Sequence, residues 1–300
     1  MANFKQLLIP LDGSKMGEIV FPFSRELAYR LGMEITCLHI CELGDDQFCP
    51  MHEAYVKTAA DKLMEQGKES GQPVKAKSAI FEGQPSEGIV RYAEQAKSDF
   101  ILMATHGRSG FNRWVLGSNA IKVLRHTSIP VWLIRNGSSV NCNWPKTEII
   151  VPLDESPLAE SILPFVIKLV KDWGLENTQV ILTRVCDEPI IPSDFTDEMQ
   201  DVWREKKNQE AAVCSISGQR YLKSIQSSLK DEGIDSRIEV RVGKVAEEII
   251  SLASASPFSF IIMSTHGHSG RGRWMYGSTT ERVIVGATCP ILLVKPDQNH

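Results

Sequence analysis

Short apolar runs alternate with longer stretches in which apolar residues recur at helical spacing. Residues 5–11 predict a short buried strand ending at Asp12, and Ser14 is placed to cap the next segment. Met16, Ile19, Val20, Phe23, Leu27 and Leu31 then give one apolar helix face. Pro22 lies inside that pattern, as Pro164 does further on, and predicts a kink in each helix. Glu34 to Cys41 reads as a second strand, residues from about 51 to 70 as a polar helix, and 74–81 as a third strand before the turn Glu82-Gly83-Gln84-Pro85. A helix at 86–97, a strand from Phe100 to Thr105, a glycine-bearing loop, a helix at 118–126 and a strand at 130–135 complete the unit. Strict alternation of strand and helix predicts a parallel sheet with helices on both faces.

The unit occurs twice. Leu8-Ile9-Pro10-Leu11-Asp12-Gly13-Ser14 matches Ile150-Val151-Pro152-Leu153-Asp154-Glu155-Ser156, and Gly83, Gly107, Gly117 and Pro130 match Gly243, Gly267, Gly277 and Pro290. The expected organisation is a first domain at 1–138, a linker at 139–146 within the polar stretch Asn136 to Lys146, and a second domain at 147–300. The second copy carries an insertion at about 186–222. Its Glu198 to Lys230 stretch reads as a longer helix, weakened near Ser215 to Gly218.

In each copy a buried strand runs into Thr-His-Gly (Thr105-His106-Gly107 and Thr265-His266-Gly267), and nine residues later a helix opens on Gly-Ser (Gly117-Ser118 and Gly277-Ser278). The first N–H groups of a helix lack internal partners and carry the positive end of its dipole, so they suit a phosphate. Asp12 follows strand one, Ile40 lies near the end of strand two, and Ala104 to Gly107 come at the end of strand four. If strands one and four are neighbours, these converge beyond the carboxyl edge of the sheet, where open parallel sheets bind ligands. A carboxylate facing backbone N–H donors suits a nucleotide.

The pattern Pro-Leu-Asp-x-Ser, then Thr-His-Gly, nine residues, Gly-Ser and a terminal Pro-Val/Ile-x-Leu strand resembles the universal stress protein family in its tandem two-domain form. The resemblance implies two five-stranded parallel α/β domains with strand order 3-2-1-4-5, and ATP binding through a motif written G-x2-G-x9-G-(S/T). It implies adenine and ribose contacts from Pro10, Asp12 and Ile40, flanking contacts from Met103 and Ala104, and phosphate contacts from Gly107, Gly117, Ser118 and Asn119. The second set is Pro152, Asp154, Val185, Met263, Ser264, Gly267, Gly277, Ser278 and Thr279. Ala104 and Ser264 stand where the motif has its first glycine, a substitution that a required positive φ would resist. The ligand implied is ATP with Mg²⁺, or ADP or AMP, in a nucleotide-responsive regulator with a protein partner. The last strands, Pro130 to Arg135 and Pro290 to Lys295, are expected to join the domains as an internal pseudo-dimer, with a homodimer of two chains left open.

A net charge of −4 argues against binding nucleic acid by phosphate neutralisation. No apolar run approaches the length of a membrane span, and the start of the chain turns polar too soon for a secretory leader, so the expected location is the cytoplasm. The seven cysteines contain no C-x-x-C pair and read as small buried thiols rather than as a disulfide framework or zinc site. His39 reads as a buried strand histidine, His106 and His266 as structural, and Arg108, Arg113, Arg271 and Arg273 as loop cations able to clamp phosphate; Trp114 and Trp274 read as loop anchors. No P-loop, H-E-x-x-H motif or triad spacing is present, so no catalytic residue and no metal ligand is expected. The rival readings are slow ATP hydrolysis or autophosphorylation on Ser118, Ser278 or a loop hydroxyl, and an interaction module with degenerate sites.

Overall fold

The computed structural model describes residues 4–42, 44, 48–105, 116–135, 146–188, 196–265 and 277–295. In the first half, β1 (Gln6–Pro10), β2 (Glu34–Cys41), β3 (Lys75–Glu82), β4 (Phe100–Ala104) and β5 (Val131–Ile134) alternate with α1 (Phe21–Leu31), α2 (Cys49–Glu69), α3 (Pro85–Gln95) and α4 (Ser118–His126). The second half repeats this with β6 (Thr147–Pro152), α5 (Pro157–Glu160), α6 (Leu163–Trp173), β7 (Thr178–Asp187), α7 (Asp197–Asp231), β8 (Ser236–Gly243), α8 (Val245–Ser254), β9 (Ser259–Ser264), α9 (Ser278–Gly286) and β10 (Ile291–Val294). Each half has the strand order 3-2-1-4-5, with parallel pairing throughout.

The halves join through their last strands. β5 and β10 pair antiparallel, with Trp132 opposite Leu292, so ten strands form one sheet. Side chains alternate across it with the period of two that a pleated strand imposes. Leu7, Ile9, Phe100, Leu102 and Trp132 pack on the face covered by α1 and α2, whereas Leu8, Ile101, Met103, Val131 and Leu133 pack under α3 and α4. Phe4 meets Phe165 of α6 at 5.8 Å, which carries the first core across to the other half. The outer strands β3 and β8 are partly exposed and bear Lys75, Lys77, Arg237 and Arg241, charges that discourage pairing with another chain.

Three local expectations are corrected. Pro22 and Pro164 do not kink a long helix; each occupies the first turn of a separate α-helix, where its missing N–H has no partner to lose. A 3₁₀ turn at Gly17–Val20 precedes α1, and the short α5 precedes α6. The helix at Ser215 to Gly218 is unbroken, because Gly218 lies close against Arg184 and Val240, where a Cβ would come within 3.2 Å of the arginine stem. The cysteines are not all thiols. Cys186 at the end of β7 and Cys214 in α7 form a disulfide across 6.0 Å between Cα atoms, because α7 packs directly on β7.

Candidate functional site

β1 and β6 both end in Pro-Leu-Asp, and the aspartate organises the turn after each strand. Asp12 Oδ1 accepts from the Ser14 N–H (3.0 Å) and hydroxyl (2.6 Å), and Ser14 Oγ in turn accepts from the Gly17 N–H at 3.0 Å. Asp154 holds Ser156 in the same way, and Ser156 caps α5 by accepting from the Ala159 N–H at 3.1 Å. Gly13 between Asp12 and Ser14 takes a left-handed φ of 78°, a conformation that Glu155 adopts at 68° in the second half. The turn bends the chain away from the sheet edge and leaves the carboxylate beside it.

β1 lies between β2 and β4, so the ends of the three strands meet. They open into a cavity of about 300 Å³. From β1 come Pro10 and Asp12, from β2 Ile40, from β4 Met103 and Ala104, and from the start of α4 Gly117, Ser118 and Asn119. Every described residue named from the first copy is therefore in one place. Gly107, with His106, Arg108, Arg113 and Trp114, lies outside the described residues. Leu38, Ile89 and His52 also line the cavity, although no motif marks them along the chain. Leu38 shares a strand face with Ile40, and that two-residue alternation was the available signal.

The mouth of α4 is built from backbone. Gly117 N–H donates to Thr105 O at 2.8 Å, tying the helix start to the end of β4, and no side chain caps the first turn. Its leading N–H groups thus face the cavity through Ser118 and Asn119. Ala104 and Ser264 end their strands in extended conformation, and neither takes a positive φ, so replacing glycine there costs no backbone strain.

The second half repeats the frame. Pro152 ends β6 and Asp154 follows it, Val185 lies near the end of β7, Met263 and Ser264 end β9, and Gly277 precedes Ser278 and Thr279 at the start of α9. Gly277 N–H donates to Thr265 O at 3.2 Å. Gly267, His266, Arg271, Arg273 and Trp274 lie outside the described residues. The halves differ at one strand end. Arg184 replaces His39 and reaches back to pair with Glu155 at 3.1 Å.

Burial and charge set the chemistry beneath the site. Tyr55 is pushed above the ordinary phenol range by burial, with Glu18 accepting its hydroxyl at 3.2 Å and adding negative charge. It serves as a neutral hydrogen-bond donor. Among the described residues no helix is long and apolar enough to cross a membrane.

A family model described as Universal stress protein family matches residues 3–135 and again 147–295. Universal stress protein E of Escherichia coli K12 is 24% identical over 319 aligned positions, covering 99% of this chain and 96% of that protein. Universal stress protein MJ0531 of Methanocaldococcus jannaschii is 27% identical over 163 positions, 54% of this chain and 87% of its own length. A crystal structure of a universal stress protein from Archaeoglobus fulgidus superposes with a TM-score of 0.69 at 20% identity, covering 97% of this chain and 98% of that one. With the family model matched once in each half of a duplicated 3-2-1-4-5 fold, the chain belongs to the universal stress protein family, in its tandem two-domain form.

Proposed function

We propose that the chain binds an adenine nucleotide, ATP with Mg²⁺ foremost, in the first-half cavity and acts as a nucleotide-responsive cytoplasmic regulator of a protein partner. The observation that carries this reading is convergence: five segments distant in sequence supply an apolar wall, a carboxylate and a helix N-terminus to one cavity. Pro10, Ile40, Ile89 and Met103 offer the apolar surface that a base requires. Asp12 can accept from ribose hydroxyls, and the uncapped start of α4 can donate to phosphate oxygens. Gly117 leaves room there for close approach of the ligand to the backbone. The residues present therefore fit the nucleotide. No P-loop lysine accompanies them, which favours binding over turnover. Occupancy of the cavity would then shift the chain between states that a partner distinguishes.

Isothermal titration with MgATP, preceded by mass spectrometry of nucleotide released from the denatured protein, tests the reading. About one nucleotide per chain is expected from the first half, with a second if the Asp154 frame also binds. Asp12→Ala should weaken the first-half event at least tenfold, or about 1.4 kcal/mol. No heat, no thermal shift and no released nucleotide would overturn it and leave the interaction-module reading.

A further inference from the structure

Beside the cavity three side chains of a different chemistry come together. His39 and Cys41 alternate along β2 and so share the face that α2 covers, and His52 projects from the first turn of α2. Their ligand atoms all lie within 4.8 Å of one another, and Cys41 Sγ is 3.9 Å from His52 Nδ1. Tetrahedral zinc bonds of roughly 2.0–2.3 Å require ligand atoms about 3.4–3.8 Å apart, so the cluster reaches that geometry with small side-chain adjustments.

The surroundings are arranged for coordination. His39 Nδ1 lies 2.7 Å from Leu11 O, so its N–H donates to that carbonyl and Nε2 becomes the lone-pair nitrogen of the ring. That second hydrogen bond is the usual support of a metal-bound imidazole. The rings of His39 and His52 lie 4.1 Å apart, so both imidazoles sit on the same side of the cluster. His39 is 7% and Cys41 2% exposed, whereas His52 is half-buried and, with His39, lines the cavity. One side of the cluster is closed by protein and one faces the cavity.

The second half supplies an internal comparison. α2 and α7 end alike, with Gln72 N–H donating to Gly67 O and Ile234 N–H to Leu229 O, so His52 and Cys214 occupy equivalent positions. The strand partners Cys41 and Cys186 are equivalent as well, and Cys186 and Cys214 are bonded to each other. The fold thus brings this strand end and this helix position into contact in both halves. With His52 in place of a second cysteine, and His39 in place of Arg184, the first half carries nitrogen and sulfur donors instead of a disulfide.

We propose that the first half holds a borderline-soft divalent metal ion, Zn²⁺ by preference, on His39, Cys41 and His52, with a fourth coordination position open to the cavity. Two imidazoles and a thiolate exclude Mg²⁺ and Ca²⁺, which take oxygen ligands. Three protein ligands with an open fourth position are the pattern of zinc sites that accept water or an anionic group. A ligand oxyanion in the cavity would then meet the ion directly. The metal site itself does not depend on the nucleotide reading.

The test uses the full-length protein with its disulfide intact, stripped by chelator and titrated with Co²⁺ and then Zn²⁺ in the absence of nucleotide. One Co²⁺ per chain should bind, with tetrahedral d–d absorption and a thiolate-to-cobalt charge-transfer band, and Zn²⁺ should displace it. Cys41→Ser should abolish the charge-transfer band, and His52→Gln, a change at a half-buried helix position, should weaken binding at least tenfold. The Cys186→Ser/Cys214→Ser variant should retain both band and stoichiometry. Absence of the charge-transfer band in the intact protein, or its survival in Cys41→Ser, would overturn the proposal.

Discussion

Asp12 and Asp154 show how one side chain can organise the turn at a strand end. One carboxylate oxygen accepts both donors of the following serine, and that serine holds the next helical turn. The serine that the sequence places as a cap works with the aspartate before it, as a relay of the two. Neighbouring chemistry is set by burial. The Cys37 thiol is raised from its ordinary 9.0 to about 12, first by burial and then by Glu18. Its folded state therefore keeps the proton where the unfolded chain releases it. The resulting stability is fully present below pH 9.0 and is lost as pH rises through about 12. Native alkylation at pH 8, read by peptide mass spectrometry, should modify the partly exposed Cys49 and spare Cys37 until the protein is unfolded. Equal labelling of the two would contradict the buried, protonated thiol.

The lengthened helix of the second half has a visible anchor. α7 runs for 35 residues against 21 in α2, and its N-terminal part carries exposed Met199, Val202 and Val213. The Cys186–Cys214 disulfide ties this helix to the end of β7 across 28 residues of chain. Closing a loop of that size stabilises by about 3–4 kcal/mol in the chain-entropy account. Cys186→Ser/Cys214→Ser should lower the urea midpoint accordingly, and reductant should lower the unmodified protein to the same value. A variant whose midpoint matches that of the oxidised protein would show that packing alone holds α7.

The ten-stranded sheet joins the two copies through one continuous seam. Trp132 on β5 meets Phe23 of its own half at 4.9 Å and Phe260 of the other at 5.0 Å, both edge-on, and is fully buried. The contact spans the duplication at its centre. Trp132→Ala should cost about 3–5 kcal/mol and destabilise both halves in one transition, whereas Trp132→Phe, which removes a buried indole N–H with no acceptor, should cost far less. Differential scanning calorimetry distinguishes this from independent halves. Two separated transitions, with only the first shifted by Trp132→Ala, would show that the β5–β10 seam does not couple them.

Much of this architecture was legible along the chain because it rests on local, periodic signals. Strand β2 (Glu34–Cys41) and helix α4 (Ser118–His126) fall where alternation and the Gly-Ser opening put them. Asp12, Ile40, Met103 and Gly117 were legible because strand ends and helix starts recur at fixed spacing in both copies. Beyond the strand order and domain pairing that the family resemblance implied, contacts between segments far apart in sequence were not legible. The first-turn position of Pro22, the unbroken helix through Gly218 and the Cys186–Cys214 bond each depend on which surface packs against which. His52 belongs with these, since nothing in its own neighbourhood marks it until α2 folds onto β2 and sets it beside His39 and Cys41. Sequence periodicity records which face of an element is buried; the partner that covers it, and hence the chemistry made by the pair, is fixed only when the elements pack.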